Sequence, residues 1–188
     1  GDGGVTQLAD ALVLRGISVV RYNFLYREKG SRRPDPMPLL EKTVEAVTGH
    51  VRQLQPSTLI IGRRSMGGRA ASMVAAGGYP CDRLLLLAYP LHPPGKPGQL
   101  RDKHLPDIAV PVRRLNATRD TFFRRDLMDA VVARLGPRFT MHWLDGADHG
   151  FHVLKSSGKT DPGVLREICD RAVEWVALNP TLQKIAVD

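Results

Sequence analysis

The chain has 188 residues, 43% hydrophobic and 24% charged, a composition that fits one globular domain with a core of its own. No apolar run approaches the roughly 20 residues a helical membrane span needs, and the two cysteines, Cys81 and Cys169, are too few for a disulfide or zinc framework. A net charge of +8 favours anionic partners, yet no helix-turn-helix, zinc-ligand set or aromatic-basic sheet stands beside it, so nucleic acid and membrane are both set aside as partners. The cysteines read as structural, in a reduced, cytoplasmic setting.

In chain order, Gly1-Asp2-Gly3-Gly4 is a glycine turn, and the stretch from Val5 to Gly16 has helical apolar spacing through Val5, Leu8, Ala9 and Leu12. Gly16 stops that helix, and ISVVRYNF, Ile17 to Phe24, reads as a strand. Residues 25–38 are a charged, proline-punctuated loop, followed by a helix over 39–54 with Leu40, Val44, Val47 and Val51 on one face. LIIGRRSMGGRAAS, Leu59 to Ser72, is a short apolar strand, a sharp turn carrying Ser65, and a small-residue helix that Gly77-Gly78 ends. RLLLLAY is a buried strand, and LHPPGKPGQLRDKHLPDIA is a long irregular connection of the kind that tends to be functional or mobile. PVRRLNA is the next strand, with TRD at its end; a helix over 124–135, the strand RFTMHWL, the loop DGADHGF and a helix over 162–178 complete the pattern. Strands alternating with helices predict a single α/β domain over 1–188, a mostly parallel sheet with helices on both faces.

In open α/β sheets the reactive groups gather at the carboxyl ends of the strands. Three predicted loops carry suitable residues there: Ser65, Asp120 and His149, in the order nucleophile, acid, histidine. Ser65 needs a base to take its proton, the imidazole of His149 is the side-chain type suited to that, and a buried Asp120 would fix its tautomer. Asp120 as a helix cap is the competing reading of that residue, and Asp145 and Asp148 compete for the acid role. His149 sits in the loop itself, whereas His142 lies inside a strand and His152 beyond the turn. The N–H of Met66, next after the nucleophile, is the expected oxyanion donor. A strand, a tight turn with the serine and a helix make a nucleophile elbow, and Arg63 stands where that elbow usually has a glycine, two residues before the serine. With Arg64, Arg27, Arg32 and Arg33 it raises an anionic substrate, against the plainer reading of a solvated basic surface.

These stretches resemble the small, lid-poor α/β-hydrolases related to dienelactone hydrolase, in the branch usually called predicted hydrolases. RYNFLYREKGSRRPDP, SMGGRAAS, LRDKHLPDIAVPV, ATRD and GADHGF carry the resemblance over nearly the whole chain. It implies a three-layer α/β-hydrolase fold with little or no lid, with the family's serine, aspartate and histidine on Ser65, Asp120 and His149. Dienelactone hydrolase itself uses a cysteine where this chain has Ser65, so its substrate does not carry over. The resemblance also likens Gly1-Asp2-Gly3-Gly4 to the end of an HGxGG loop, which makes Asp2 the second oxyanion donor. It sets a strand before that turn, between Ile17–Phe24 and the strand at Thr58–Ile61, so the chain as given is expected to be N-terminally incomplete.

The resulting expectation is a serine hydrolase cleaving a small ester or related acyl bond through an acyl-enzyme, as a monomer or homodimer, with no metal and no cofactor. The alternative is a catalytically weak or inactive hydrolase fold serving as a protein-interaction module.

Overall fold

In the computed structural model, which describes residues 3–178, the chain runs α1 (Gly3–Val13), α2 (Leu25–Glu28), α3 (Met37–Gln53), β1 (Ile60–Arg64), α4 (Ser65–Ala76), β2 (Arg83–Leu87), β3 (Val112–Ala117), α5 (Arg125–Leu135), β4 (Phe139–Leu144) and α6 (Asp161–Leu178). The four strands are all parallel, in spatial order β1-β2-β3-β4. Ile61, Leu84, Val112 and Phe139 lie side by side across them. That register brings the carboxyl ends of β1, β3 and β4 to one edge of the sheet.

The core is built on both faces, as the unbroken apolar run of β2 requires. Leu84 and Leu86 pack with Leu40, Val44, Ala70, Val74, Met128 and Val131, from α3, α4 and α5. Leu85 and Leu87 point the opposite way and meet Leu8, Ile168, Ala172 and Trp175, from α1 and α6. The period-two alternation of a strand thus feeds two separate apolar layers. Burying each of these leucines stabilises the fold by about 1.5–3 kcal/mol. Helix α4 sits close to the sheet because Ala70 and Ala71 are small and wholly buried. No helix among the described residues is long and apolar enough to cross a membrane.

The segment Ile17–Phe24 departs from expectation: it is not a strand. Its β-branched and aromatic residues suit a sheet, but a strand exists only with a ladder partner. Among the described residues β1 pairs with β2 alone, and no backbone bond joins residues 18–23 to it. The Arg63 side chain lies against the segment, its guanidinium carbon 4.3 Å from the centres of both the Tyr22 and Phe24 rings. It also donates weakly to the Tyr22 carbonyl, at 3.4 Å. The side chain therefore holds the two stretches together without a ladder.

The long connection after β2 is folded down on the body. The Tyr89 hydroxyl donates to the Arg101 carbonyl at 2.7 Å, the Arg101 N–H returns to the Leu91 carbonyl, and Arg138 donates to the Ile108 carbonyl at 3.0 Å. Leu91, Leu105 and Ile108 are fully buried beneath it. These ties and the buried side chains hold the connection against the body, while Lys96, Gln99 and Lys103 stay exposed.

Candidate active site

Ser65 occupies the junction of β1 and α4 with φ of +51°, a left-handed conformation that a non-glycine residue adopts only under strain. Glycines make that turn possible. A side chain at Gly68 would meet the Arg63 carbonyl at 3.2 Å, and one at Gly67 would meet the Arg63 Nε at 2.9 Å and the Phe24 ring at 3.2 Å. The helix therefore starts pressed against the strand it leaves. At its first turn the N–H groups have no intrahelical acceptor, and the Met66 N–H is one of them.

From this turn Ser65 Oγ reaches His149 Nε2 at 2.8 Å. His149 Nδ1 reaches Asp120 Oδ2 at 2.6 Å. The second carboxylate oxygen of Asp120 accepts the Phe122 N–H at 2.8 Å, and the carboxylate is wholly buried. A carboxylate only accepts, so Nδ1 carries the imidazole proton and Nε2 is left to accept from the serine hydroxyl. The Phe122 ring lies against the imidazole, centres 4.4 Å apart. Each member comes from the carboxyl end of a different strand: β1, β3 and β4.

The competing sequence readings find other roles in the geometry. Helix α5 begins at Arg125 after Arg124, so Asp120 is not its cap. Asp145 is exposed and pairs with Lys159. Asp148 shapes the histidine loop, accepting the Gly150 and His152 N–H groups at 2.7 and 3.0 Å. His142 bonds Glu167 and His152 bonds Asp161.

The arginines flanking the elbow are both engaged. The Arg63 guanidinium lies against both the Tyr22 and Phe24 rings, where burial pushes its pKa below the usual arginine value against the pull of Tyr22 and Tyr26. Arg64 donates to the His149 carbonyl at 2.7 Å and lies over the Phe151 ring, 5.1 Å from its centre. Asp2, expected as an oxyanion donor, lies outside the described residues. Residues that sequence reasoning passed over, Arg64 as a partner of the histidine loop and Phe122 against the imidazole, left no periodic or motif signal; only their contacts reveal them.

A family model for the alpha/beta hydrolase domain matches residues 4–177. Among solved structures, an alpha-beta serine hydrolase homologue from Coxiella burnetii superposes with a TM-score of 0.71 at 21% identity, covering 94% of this chain and 77% of that one. An a/b serine hydrolase without a lid from Xanthomonas campestris gives 0.71 at 21% identity, covering 93% and 74%. The esterase domain of a Rhodothermus marinus protein gives 0.66 at 14% identity, covering 92% and 78%.

Proposed function

The chain belongs to the alpha/beta hydrolase domain family, and we propose that it is a serine hydrolase that cleaves small esters through Ser65, His149 and Asp120. The observation that carries this reading is the unbroken hydrogen-bond chain from a buried Asp120 through His149 to Ser65 on a strained strand-to-helix turn.

As Ser65 Oγ attacks the ester carbonyl, its proton passes to His149 Nε2. Asp120 stabilises the imidazolium through the Nδ1–H bond, and the negative charge on the tetrahedral oxygen is met by the Met66 N–H. Collapse expels the alcohol, which takes the proton back from Nε2, and leaves an acyl group on Ser65. Water enters, gives a proton to Nε2 and attacks the acyl carbon. Collapse of this second tetrahedral intermediate breaks the carbon–Oγ bond, Oγ takes the proton back from Nε2, and the carboxylic acid leaves.

Arg63 and Arg64 are occupied by aromatic rings and a backbone carbonyl, which supports a neutral ester over an anionic one. A fluorophosphonate probe and p-nitrophenyl acetate test the proposal. Wild type is expected to label and turn over, and Ser65→Ala to do neither. An alanine variant as active as wild type would refute the assignment, and so would a folded wild type inert to both reagents.

A further inference from the structure

We infer that Arg64 is a positioning residue for His149: by gripping that residue's own carbonyl, it ties the histidine loop to the nucleophile's turn. The inference rests on the reading of Ser65 and His149 as nucleophile and base.

The loop after β4 is tight and mostly self-contained. The Asp148 N–H bonds the His152 carbonyl, the Phe151 N–H bonds the Asp148 carbonyl, and Asp148 Oδ1 takes the Gly150 and His152 N–H groups. Phe151 holds φ of +68°, a left-handed conformation strained for a non-glycine residue. At its base, the Arg119 N–H bonds the Ala147 carbonyl and the Gly146 N–H bonds Thr118 Oγ1, which anchors it to the end of β3. These bonds set the loop's shape and join it to the acid's strand; none of them sets its distance from Ser65.

Arg64 supplies that reference. It is the residue before Ser65, so its backbone is part of the same turn. Its guanidinium reaches the His149 carbonyl at 2.7 Å and covers the Phe151 ring two residues on. The nucleophile and the base are thus joined twice, once through the reacting Oγ–Nε2 pair and once through a bond that does not react. During turnover the first link breaks when the imidazole becomes protonated and Oγ becomes acylated. The second persists and keeps Nε2 aimed at the leaving group and then at water. A misplacement of about 1 Å can cost on the order of 10²-fold in rate, so the expected loss is roughly 10- to 100-fold.

The test compares wild type, Arg64→Met, which keeps the stem and removes the donor, and Arg64→Lys, which restores one. Fluorophosphonate labelling of Arg64→Met is expected to slow by that factor, with kcat for p-nitrophenyl acetate falling in step, KM within about twofold and melting temperature held. Arg64→Lys is expected to recover most of the rate. Wild-type labelling in Arg64→Met overturns the inference, as does a lysine variant as slow as the methionine one, or a raised KM with unchanged kcat. Should Arg64→Met not fold, Arg64→Gln replaces it, being too short to reach the carbonyl, with the same outcomes. If wild type itself fails to label, it is the hydrolase reading that falls. The tie is then read from the His149 imidazole proton resonances, assigned by their loss in His149→Ala; unchanged resonances in Arg64→Met overturn it.

Discussion

Helix α4 carries two serines, Ser65 and Ser72, and each is hydrogen-bonded to a histidine at nearly the same distance, 2.8 Å to His149 and 2.7 Å to His104. The pairs differ in which way the proton faces. The Ser72 hydroxyl donates to the Arg69 carbonyl at 2.8 Å, so it can only accept from His104 Nε2–H. Ser65 donates to His149, because Asp120 holds the proton on the opposite nitrogen. Among the described residues no carboxylate is hydrogen-bonded to His104: Asp102 is paired with Arg134, and Asp102 and Asp107 reach the ring only through their charge. Burial above all, with help from the nearby Arg69 charge, pushes the His104 pKa below the ordinary 6.5, which disfavours the imidazolium a base must become. Ser72 is also wholly buried, whereas the His149 side chain is about a quarter exposed. A serine–histidine contact becomes a nucleophile only when the proton, the acid behind it and access to substrate all agree.

The largest way to break the contrast is at Asp120. An Asp120→Asn amide can donate to Nδ1, which moves the imidazole proton to Nε2 and makes the Ser65 pair resemble the Ser72 pair. We expect kcat for p-nitrophenyl acetate to fall on the order of 10⁴-fold at neutral pH, with the fold intact by circular dichroism. Activity within tenfold of wild type would mean that the acid lies elsewhere.

Ser72→Ala probes the other side. It removes the acceptor of the half-buried His104 N–H, at a cost of about 1 kcal/mol in stability, read from urea unfolding. Fluorophosphonate labelling should be unchanged, since Ser72 is out of reach of the probe. Loss of labelling in a folded Ser72→Ala would collapse the distinction between the pairs.

The smallest effect is in acid. Because His104 has a lowered pKa when folded, the unfolded chain takes up its proton first as the pH falls below the ordinary 6.5. Stability therefore falls on acidification through that window, and above it His104 contributes no pH dependence. His104→Gln should flatten this part of the pH–stability curve measured by thermal melts. An unchanged slope would show that His104 does not titrate differently in the two states.

Much of the architecture was legible in the residues. The unbroken RLLLL of β2 announced a strand covered on both faces, Gly16 and Gly78 mark chain reversals with φ of +81° and +83°, and Leu40 and Val44 face the core from α3 as their spacing predicts. Each of those signals is local: a period, a missing Cβ, a run of apolar side chains. The order Ser65, Asp120, His149 was legible for a related reason, since strands ending at one edge of a parallel sheet must deliver their loops to one place.

What tertiary structure alone decided are the pairings. ISVVRYNF has the composition of a strand, but pairing needs a neighbour, and the side chain beside it belongs to Arg63, distant in sequence. Arg114 sits mid-strand in a charged-looking VRRLNA, yet the register of β3 turns it fully into the core over the Tyr89 ring, with burial pushing its pKa down to about 10. Arg64 and Arg63 are adjacent and chemically identical in sequence; one grips the histidine loop and the other fills a cleft beside Tyr22. The sequence alone determined which chemical groups the chain owns and at which end of the sheet they emerge. Which group faces which, and which way a shared proton points, is a property of contacts between segments far apart in the chain, and no local period records it.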